Sequence, residues 1–358
     1  MPFYRDIKYS TPEGRRTVAG LFRLREQLAT EVPERTMDET LLLATWNIRD
    51  FDKPAYGRRS DEAIQYIAEV ISKFDIVAIQ EVYKDLEALN RVMRLLGGQW
   101  DVIFTDTTEG NRGNDERMAF VFDTRKVSFK GLAGQLVLPP VEDEDGNIVN
   151  PDQIWRTPFI AGFQAGWCKF QLATVHILWG GGDAEPEDRI NEIKQIAQFL
   201  KKRTLDEHVW SQNLILLGDF NIFNTDNETF AQFEKAGFTV PESLQELPSN
   251  WGKNRHYDQI AFRARPNHLD FTGRDGVFNF FDSVYRLEEE SAYVKEMGPA
   301  YKKYTSGQKK GQPRSVKDKT KYFRTYWRTH QMSDHLVMWT ELRIDYSEEY
   351  LGRRLAEG

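Results

Sequence analysis

Six places in the chain carry residue types that serve metal-assisted hydrolysis. Asn47 ends the apolar run LLLATWN, Glu81 ends IVAIQE and His176 ends LATVH. Asp219 and Asn221 end LILLGDFN at a spacing of two, Asp258 stands in HYDQIAF, and Asp334 and His335 open DHLVMW. Carboxylate and amide oxygens are hard ligands of the kind magnesium prefers. Histidine titrates near neutral pH and moves protons. Each place alone has a bland reading, as a turn residue or a satisfied core polar group. Together they put carboxylates, amides and imidazoles at the ends of separate strands, where open α/β sheets build sites.

These residues need strands to aim them. Leu214–Leu217 reads as a strand buried on both faces, broken by Gly218. Strand character also marks LLLATWNI, DIVAIQEV, WDVIFTD, MAFVFD, KVSFKGL, FIAGFQAGW, KFQLATVHI, HYDQIAFR and HLVMWTEL. Between them, residues 60–73 show helical spacing in Ala63, Ile64, Ile67, Ala68 and Ile71. Further helices are expected over 86–96, ended by Gly97-Gly98, over 186–203 and near 227–236. Residues 1–40 form an N-terminal extension. Ser10-Thr11-Pro12-Glu13 starts its helix, with Val18, Leu21, Phe22, Leu24 and Leu28 on the packing face. Residues 346–358 are expected as a C-terminal tail.

Composition narrows the class. The chain has 358 residues, is 40% hydrophobic and 29% charged, and carries a net charge of −7. That balance fits a soluble globular protein and argues against coating nucleic acid with the whole surface. No apolar run reaches membrane length, and MPFYRDIKYSTPEGRR holds no apolar signal core. Cys168 is the only cysteine, so no internal disulfide forms. These features favour the cytoplasm.

Two insertions interrupt the pattern. VEDEDGNIVNPDQ (141–153) is acidic and turn-rich. It begins like a calcium loop but lacks the later ligand positions, so a hairpin or exposed loop is expected. The second spans about 285–330, and its later half, YKKYTSGQKKGQPRSVKDKTKYFRTYWR, is strongly basic with interleaved aromatics.

The ordered set WN, QE, H, GDFN, YDQI and SDH resembles the endonuclease/exonuclease/phosphatase superfamily, closest to the DNase I-type bacterial nuclease branch. The resemblance covers about 41–284 and 330–345. It implies an α/β four-layer sandwich, with two mixed β-sheets packed face to face and flanked by helices. A single catalytic domain would then span 41–345. It implies a divalent-metal phosphoesterase, with Mg2+ as cofactor and Mn2+ or Ca2+ as alternatives. By position, Glu81 matches the main metal ligand, Asn47 the amide beside it, and Asp334 a further acid of the metal-phosphate cluster. Asp219 and Asn221 match the pair that places water and phosphate. His335 matches the histidine of the closing motif, with Asp258 orienting it. His176 matches the second histidine of the branch, with Glu116 supporting it, and Arg156 matches an arginine near the phosphate. Two His–acid pairs on opposite sides of one phosphate would supply a base and an acid.

The chain departs from the branch where the family grips the minor groove. Tyr83 and Asn114 stand at those places, and the family's disulfides cannot form. The basic insertion falls between Asp258 and the Asp334–His335 pair, so its ends are expected at the site rim. There its cations would neutralise phosphates and its aromatics would stack on bases. A solvated loop is the plain alternative. The leading expectation is an endonuclease acting on DNA or other nucleic acid. The same-fold alternative is a phosphatase or phosphodiesterase for a lipid or small phosphoester, with the basic loop meeting anionic lipid headgroups. A catalytically silent scaffold is disfavoured because every expected catalytic residue type is present. Of the remaining histidines, His208 and His268 read as surface residues, and His256 and His330 as structural neighbours of the site.

Overall fold

The computed structural model describes residues 2–51, 53, 57–108, 115–142, 146–149, 153–265 and 268–357. Asn114, the acidic tip 143–145 and the Pro266-Asn267 turn before His268 lie outside them.

Strand β1 (Thr40–Phe51) shows why the chain builds layers. Leu41 and Leu43 enter one core, while Leu42, Ala44, Trp46 and Ile48 enter another. Successive strand side chains point to opposite faces, so a strand apolar at every position must be covered twice. Strand β2 (Ile76–Tyr83) divides the same way, with Ile76 and Ala78 against Val77 and Ile79. They join β3 (Trp100–Phe104), β4 (Glu116–Asp123), β12 (Phe271–Phe278) and β13 (Val337–Arg343). The resulting six-stranded sheet has the order β12-β13-β1-β2-β4-β3. A five-stranded sheet faces it. It is built from β5 (Val127–Gln135), β8 (Phe159–Ala165), β9 (Cys168–His176), β10 (Leu214–Asp219) and β11 (Asp258–Arg263), in the order β11-β10-β9-β8-β5. Strands β6 (Val141–Glu142) and β7 (Ile148–Val149) pair antiparallel within the acidic insertion, apart from the two large sheets.

Helices complete the sandwich. α1 (Pro12–Glu31), α2 (Asp61–Ser72) and α3 (Glu87–Leu96) cover the outer face of the first sheet. α4 (Glu187–Thr204) and α5 (Glu228–Lys235) cover the second through Ile193, Ile196, Leu200, Phe230 and Phe233. The short α6 (Glu242–Gln245) lies beside β12. This is the expected four-layer architecture. Among the described residues, no helix is long and apolar enough to cross a membrane.

Three expectations need correction. α1 starts where Thr11 and Pro12 place it, with the Thr11 side chain accepting from Gly14 N–H at 3.0 Å. Its buried stripe, however, is Thr17, Gly20, Leu21, Leu24 and Leu28, and Phe22 falls off that stripe and is 71% exposed. The basic insertion is a folded outer layer rather than a loop. It contains α7 (Val294–Lys302), α8 (Val316–Tyr322), a π-helical turn over Phe323–Trp327, and α9 (Arg328–Gln331). Phe323 and Trp327, expected among the base-stacking aromatics, join Tyr285 and Tyr293 in the core against the first sheet. Arg16 bonds Glu62 at 2.6 Å and Glu296 at 3.0 Å, which ties α1, α2 and α7 together. The C-terminal tail is helix α10 (Ser347–Glu357), with no buried residue.

Charge closes the end of the first sheet opposite the chemistry. Asp75, fully buried, accepts from Arg35 Nε and Lys126 Nζ, each at 2.6 Å, and from Leu42 N–H at 2.8 Å. Asp123 accepts from Arg35 Nη2 at 2.6 Å and from Arg125 Nη2 at 2.5 Å. Burial pushes the Asp123 carboxyl up, but Arg125 and Arg35 outweigh it and hold it at about 2, against an ordinary 3.8. A depressed folded value gives stability that is present above pH 4 and lost as pH falls through 2. Asp123→Asn should therefore cost about 2 kcal/mol at pH 7 and about half that at pH 3. Urea unfolding midpoints of both proteins at the two pH values check this; a pH-independent difference would contradict it.

Candidate active site

Topology brings the polar strand ends together. β1 and β2 pair in parallel at the centre of one sheet, and β9 and β10 at the centre of the other. Parallel neighbours end at the same edge, and antiparallel neighbours begin there. Asn47, Glu81, His176 and Asp219 thus lie at carboxyl ends, and Glu116, Asp258 and His335 at or near the starts of antiparallel partners. In register, Asp219 stands beside both His176 on β9 and Asp258 on β11, and Glu116 pairs with Tyr83.

One amide joins the sheets. Asn47 Nδ2 donates to Glu81 Oε1 and to Asp219 Oδ2, each at 2.9 Å. Ionised carboxylates only accept, so the NH2 group must face both of them. The other side of the amide, Oδ1, is buried and has no hydrogen-bond partner among the described residues. Behind it, Gln80 Nε2 donates to Thr174 Oγ1 at 2.8 Å and bridges the sheets a second time.

Two acid-backed imidazoles flank Asp219. His176 Nδ1 meets Glu116 Oε2 at 2.7 Å, and its Nε2 lies 3.5 Å from Asp219 Oδ2. His335 Nδ1 meets Asp258 Oδ2 at 2.8 Å, and its Nε2 lies 3.7 Å from the same Asp219 oxygen. A carboxylate on Nδ1 leaves Nε2 as the working nitrogen in each ring. Burial and Arg156 disfavour the His176 imidazolium, but Glu116 and Asp219 prevail and raise its pKa. Burial opposes charge on His335 too, yet Asp258 and Asp219 hold its proton well above the ordinary value.

The backbone is bent to make these contacts. Asp50, Glu81 and Asn221 are non-glycine residues at φ 42°, 60° and 52°. Such left-handed residues are costly and cluster at functional sites. The Asp50 N–H donates to Glu81 Oε2 at 2.6 Å. Asn221 N–H donates to Asp219 Oδ1 at 2.9 Å, and its side-chain amide donates to Ile177 O at 2.8 Å. Gly218 explains the break before Asp219. At φ 134°, a Cβ there would lie 2.2 Å from Val175 O on β9.

Two further expected residues flank this cluster. Asp334 is half-buried, with Oδ2 3.6 Å from Arg49 Nη1. Arg156 braces the first pair, with Nε 3.3 Å from Glu116 Oε2 and Nη1 donating to His176 O at 3.3 Å. Sequence reasoning missed Arg49 and Asp50, although both lie inside the WNIRD string that marked Asn47. Burial and Glu81 push the Asp50 carboxyl up to about 6. It also missed Ser333, which donates to Asn47 O at 2.6 Å and accepts from the N–H groups of Arg49 and His335. The remaining histidines take structural roles. His330, held near 3 by burial and by Arg49 and Arg59, is a neutral core residue packed on Tyr326. Burial lowers His256 as well, and His208 is exposed.

The donor set fits a divalent cation. Ligand atoms of Glu81, His176 and Asp219 lie within 4.8 Å of one another, and those of Asp219, Asp258 and His335 do likewise. In the first group Glu81 offers a carboxylate, and the orphaned Asn47 Oδ1 beside it is a hard oxygen in want of a partner. Magnesium binds through one or two carboxylates and keeps waters, so this set suffices.

Gly218→Ala should lower stability by about 2–4 kcal/mol, because the new methyl meets backbone rather than a movable side chain. Gly134→Ala, where a Cβ meets nothing within 4 Å, should change it by less than about 0.5 kcal/mol. Equal melting curves for the two variants would refute the clash.

Comparison with known proteins agrees with this geometry. The family model described as the Endonuclease/Exonuclease/phosphatase family matches residues 44–265. No curated protein sequence gives a significant match. Among solved structures, the human Nocturnin catalytic domain with bound sulfate anion is 14% identical, with a TM-score of 0.51, over 85% of this chain and 94% of that one. D. rerio TDP2 complexed with single strand DNA product is 12% identical, with a TM-score of 0.51, over 85% and 99%. A functionally unknown conserved protein from Enterococcus faecalis V583 is 14% identical, with a TM-score of 0.51, over 84% and 99%. At these identities the structures share the fold. The family match, the two facing sheets and the cluster at their common edge agree: the chain belongs to the endonuclease/exonuclease/phosphatase family of phosphoesterase hydrolases, whose members are typically divalent-metal-dependent.

Proposed function

We propose that this chain is a divalent-metal-dependent phosphodiesterase that hydrolyses nucleic acid, with DNA as the leading substrate. One observation carries the reading. A single carboxylate oxygen, Asp219 Oδ2, is met by the Asn47 amide and by two imidazoles, each backed by its own acid. A structural hydrogen-bond network needs one such pair at most, whereas in-line displacement at phosphorus needs a base and an acid on opposite sides.

Glu81 and Asn47 Oδ1 would hold the cation, which when bound would neutralise charge on the phosphoryl oxygens. Asp219 and Asn221 orient the attacking water and a phosphate oxygen. As the water oxygen bonds to phosphorus, its proton passes to Nε2 of one imidazole. The bond from phosphorus to the leaving oxygen breaks, and the other imidazole, protonated beforehand, gives its proton to that oxygen. Glu116 and Asp258 keep both rings oriented and stabilise their charged forms. Arg156 supports this pairing from behind His176 and adds positive charge near the phosphate. Asp334, half-buried and paired with Arg49, would join the cation's outer waters or the substrate rim.

Nucleic acid is favoured by the rim. Arg49 sits over Tyr326 at 5.8 Å, and Arg324 over Trp251 at 5.3 Å, beside Asp334. Trp251 N–H donates to Asp334 O at 2.9 Å, so these rings border the site itself. Guanidinium and aromatic faces in alternation suit phosphates and bases. The same fold holds a single strand DNA product in D. rerio TDP2.

The test is cleavage of labelled single strands and supercoiled plasmid with magnesium or manganese. Glu81→Ala and His335→Ala should each lower turnover by at least about 100-fold with the fold intact by circular dichroism, and EDTA should abolish it. Turnover of phosphoinositides or sphingomyelin in place of either nucleic acid would replace the substrate. Metal-independent cleavage would overturn the mechanism.

A further inference from the structure

The His176 flank carries an aromatic that the chemistry does not use. Trp179 lies three residues beyond His176 and is 51% exposed. Three residues span no more than about 11 Å, which keeps Trp179 on the His176 flank of the site. Its loop is not free to move away. Arg189, with 0% exposure, donates to five carbonyl oxygens: those of Leu178, Trp179, Asp183, Ala184 and Asn221. The same guanidinium therefore fixes both the Trp179 loop and the left-handed Asn221 of the site. Gly180, Gly181 and Gly182 turn the chain at φ 70°, 69° and 92°, and the indole packs 3.7 Å from a Cβ placed on Gly182.

The opposite flank has a matching ring. Tyr326 is 39% exposed and stacks on Tyr322 at 5.4 Å. It lies in the π-helical turn Phe323–Trp327, which sends Phe323 and Trp327 inward. π-turns recur at functional sites. Arg49 links this ring to Asp334. From Asp219 the contacts run to His176 on one side and, through His335, its neighbour Asp334 and Arg49, to Tyr326 on the other.

We propose that the substrate is a single strand whose bases stack on Trp179 on one side of the reacting phosphate and on Tyr326 on the other. This deepens the phosphodiesterase reading and rests on it for the position of the phosphate. A duplex hides its base faces within its own stack and can use neither ring. A single strand offers them, and stacking tolerates any sequence.

Binding separates this from the chemistry. Fluorescence anisotropy in the Glu81→Ala background, with magnesium, compares a labelled single strand, the same strand with two adjacent abasic residues at its centre, and the corresponding duplex. Trp179→Ala and Tyr326→Leu should each weaken binding of the intact strand by about 5- to 100-fold. The abasic strand should bind more weakly and be indifferent to both substitutions, Trp179→Phe should retain the affinity, and the duplex should bind more weakly than the strand. Equal losses on intact and abasic strands, no loss on either, or tighter duplex binding would overturn the proposal. Base-dependent binding with no turnover by the wild-type protein would refute the phosphodiesterase reading and leave the stacking standing.

Discussion

The Asn47 amide is the constraint on which the site depends. Its two N–H bonds reach a carboxylate from each sheet, so Glu81 and Asp219 cannot separate without losing one of them. Two carboxylates converging in one cleft repel each other, and a neutral donor between them relieves part of that cost. It also orients the amide, because the acceptor-only neighbours turn its oxygen away from them. The orphaned oxygen then faces the only kind of partner that two nearby carboxylates would also welcome, a cation. The central parallel pair of each sheet follows from the same need. Strands that end at one edge offer Asn47 beside Glu81 and His176 beside Asp219.

Holding that edge takes backbone strain, and the chain restrains it with buried guanidinium groups rather than with more acids. Arg59 donates to the carbonyl oxygens of Asp50 and Gln331. Arg189 gathers five carbonyls around Asn221 and the following loop. A carbonyl accepts without adding negative charge, so these clamps stiffen Asp50 and Asn221 while leaving the carboxylates of the cleft free for cation and protons. Burying a guanidinium this way disfavours its charge, and the pKa of Arg189 is lowered by burial despite the nearby Asp219. The carboxylate-rich cleft and the carbonyl-lined arginines thus stabilise each other across a few ångströms.

Much of this was legible because strands declare themselves. The two-residue alternation of β1 and β2 fixes which side chains meet the other sheet, and the polar residue that ends each run marks the functional edge. What failed to show had physical reasons. FTGRDGVF became β12 although it holds two glycines and no apolar alternation, because an edge strand is held by backbone pairing to β13 rather than by burial. The basic segment reads as solvent-exposed by composition, and its helices are decided by Phe323 and Trp327 reaching a core that only the folded sheet supplies. Arg189 looks like any surface charge on the amphipathic α4 until the loop before the helix folds back over it. Asp334 follows its string to the start of β13, and the contact it makes there, with Arg49, is one that motif spacing does not name.

The division between legible and hidden residues tracks the division between chemistry and choice. Inside the cleft the groups satisfy one another: Asn47 holds Glu81 and Asp219, Glu116 holds His176, and Asp258 holds His335. Such a cluster can recognise a phosphoryl group and little else, since few of its donors remain for a sugar, a base or a headgroup. Discrimination must therefore reside outside it, in side chains that the shared fold does not dictate. The rim is where this chain differs from a bare sandwich, with Trp179 on a clamped glycine turn and Tyr326 on a helix layer packed over α1 and α2. If both rings receive bases, they would favour flat partners spaced along a flexible chain over a stiff duplex or a lone headgroup. On the proposed reading, substrate choice would rest on these two exposed aromatics, and the buried polar network behind them would act on the phosphate they deliver.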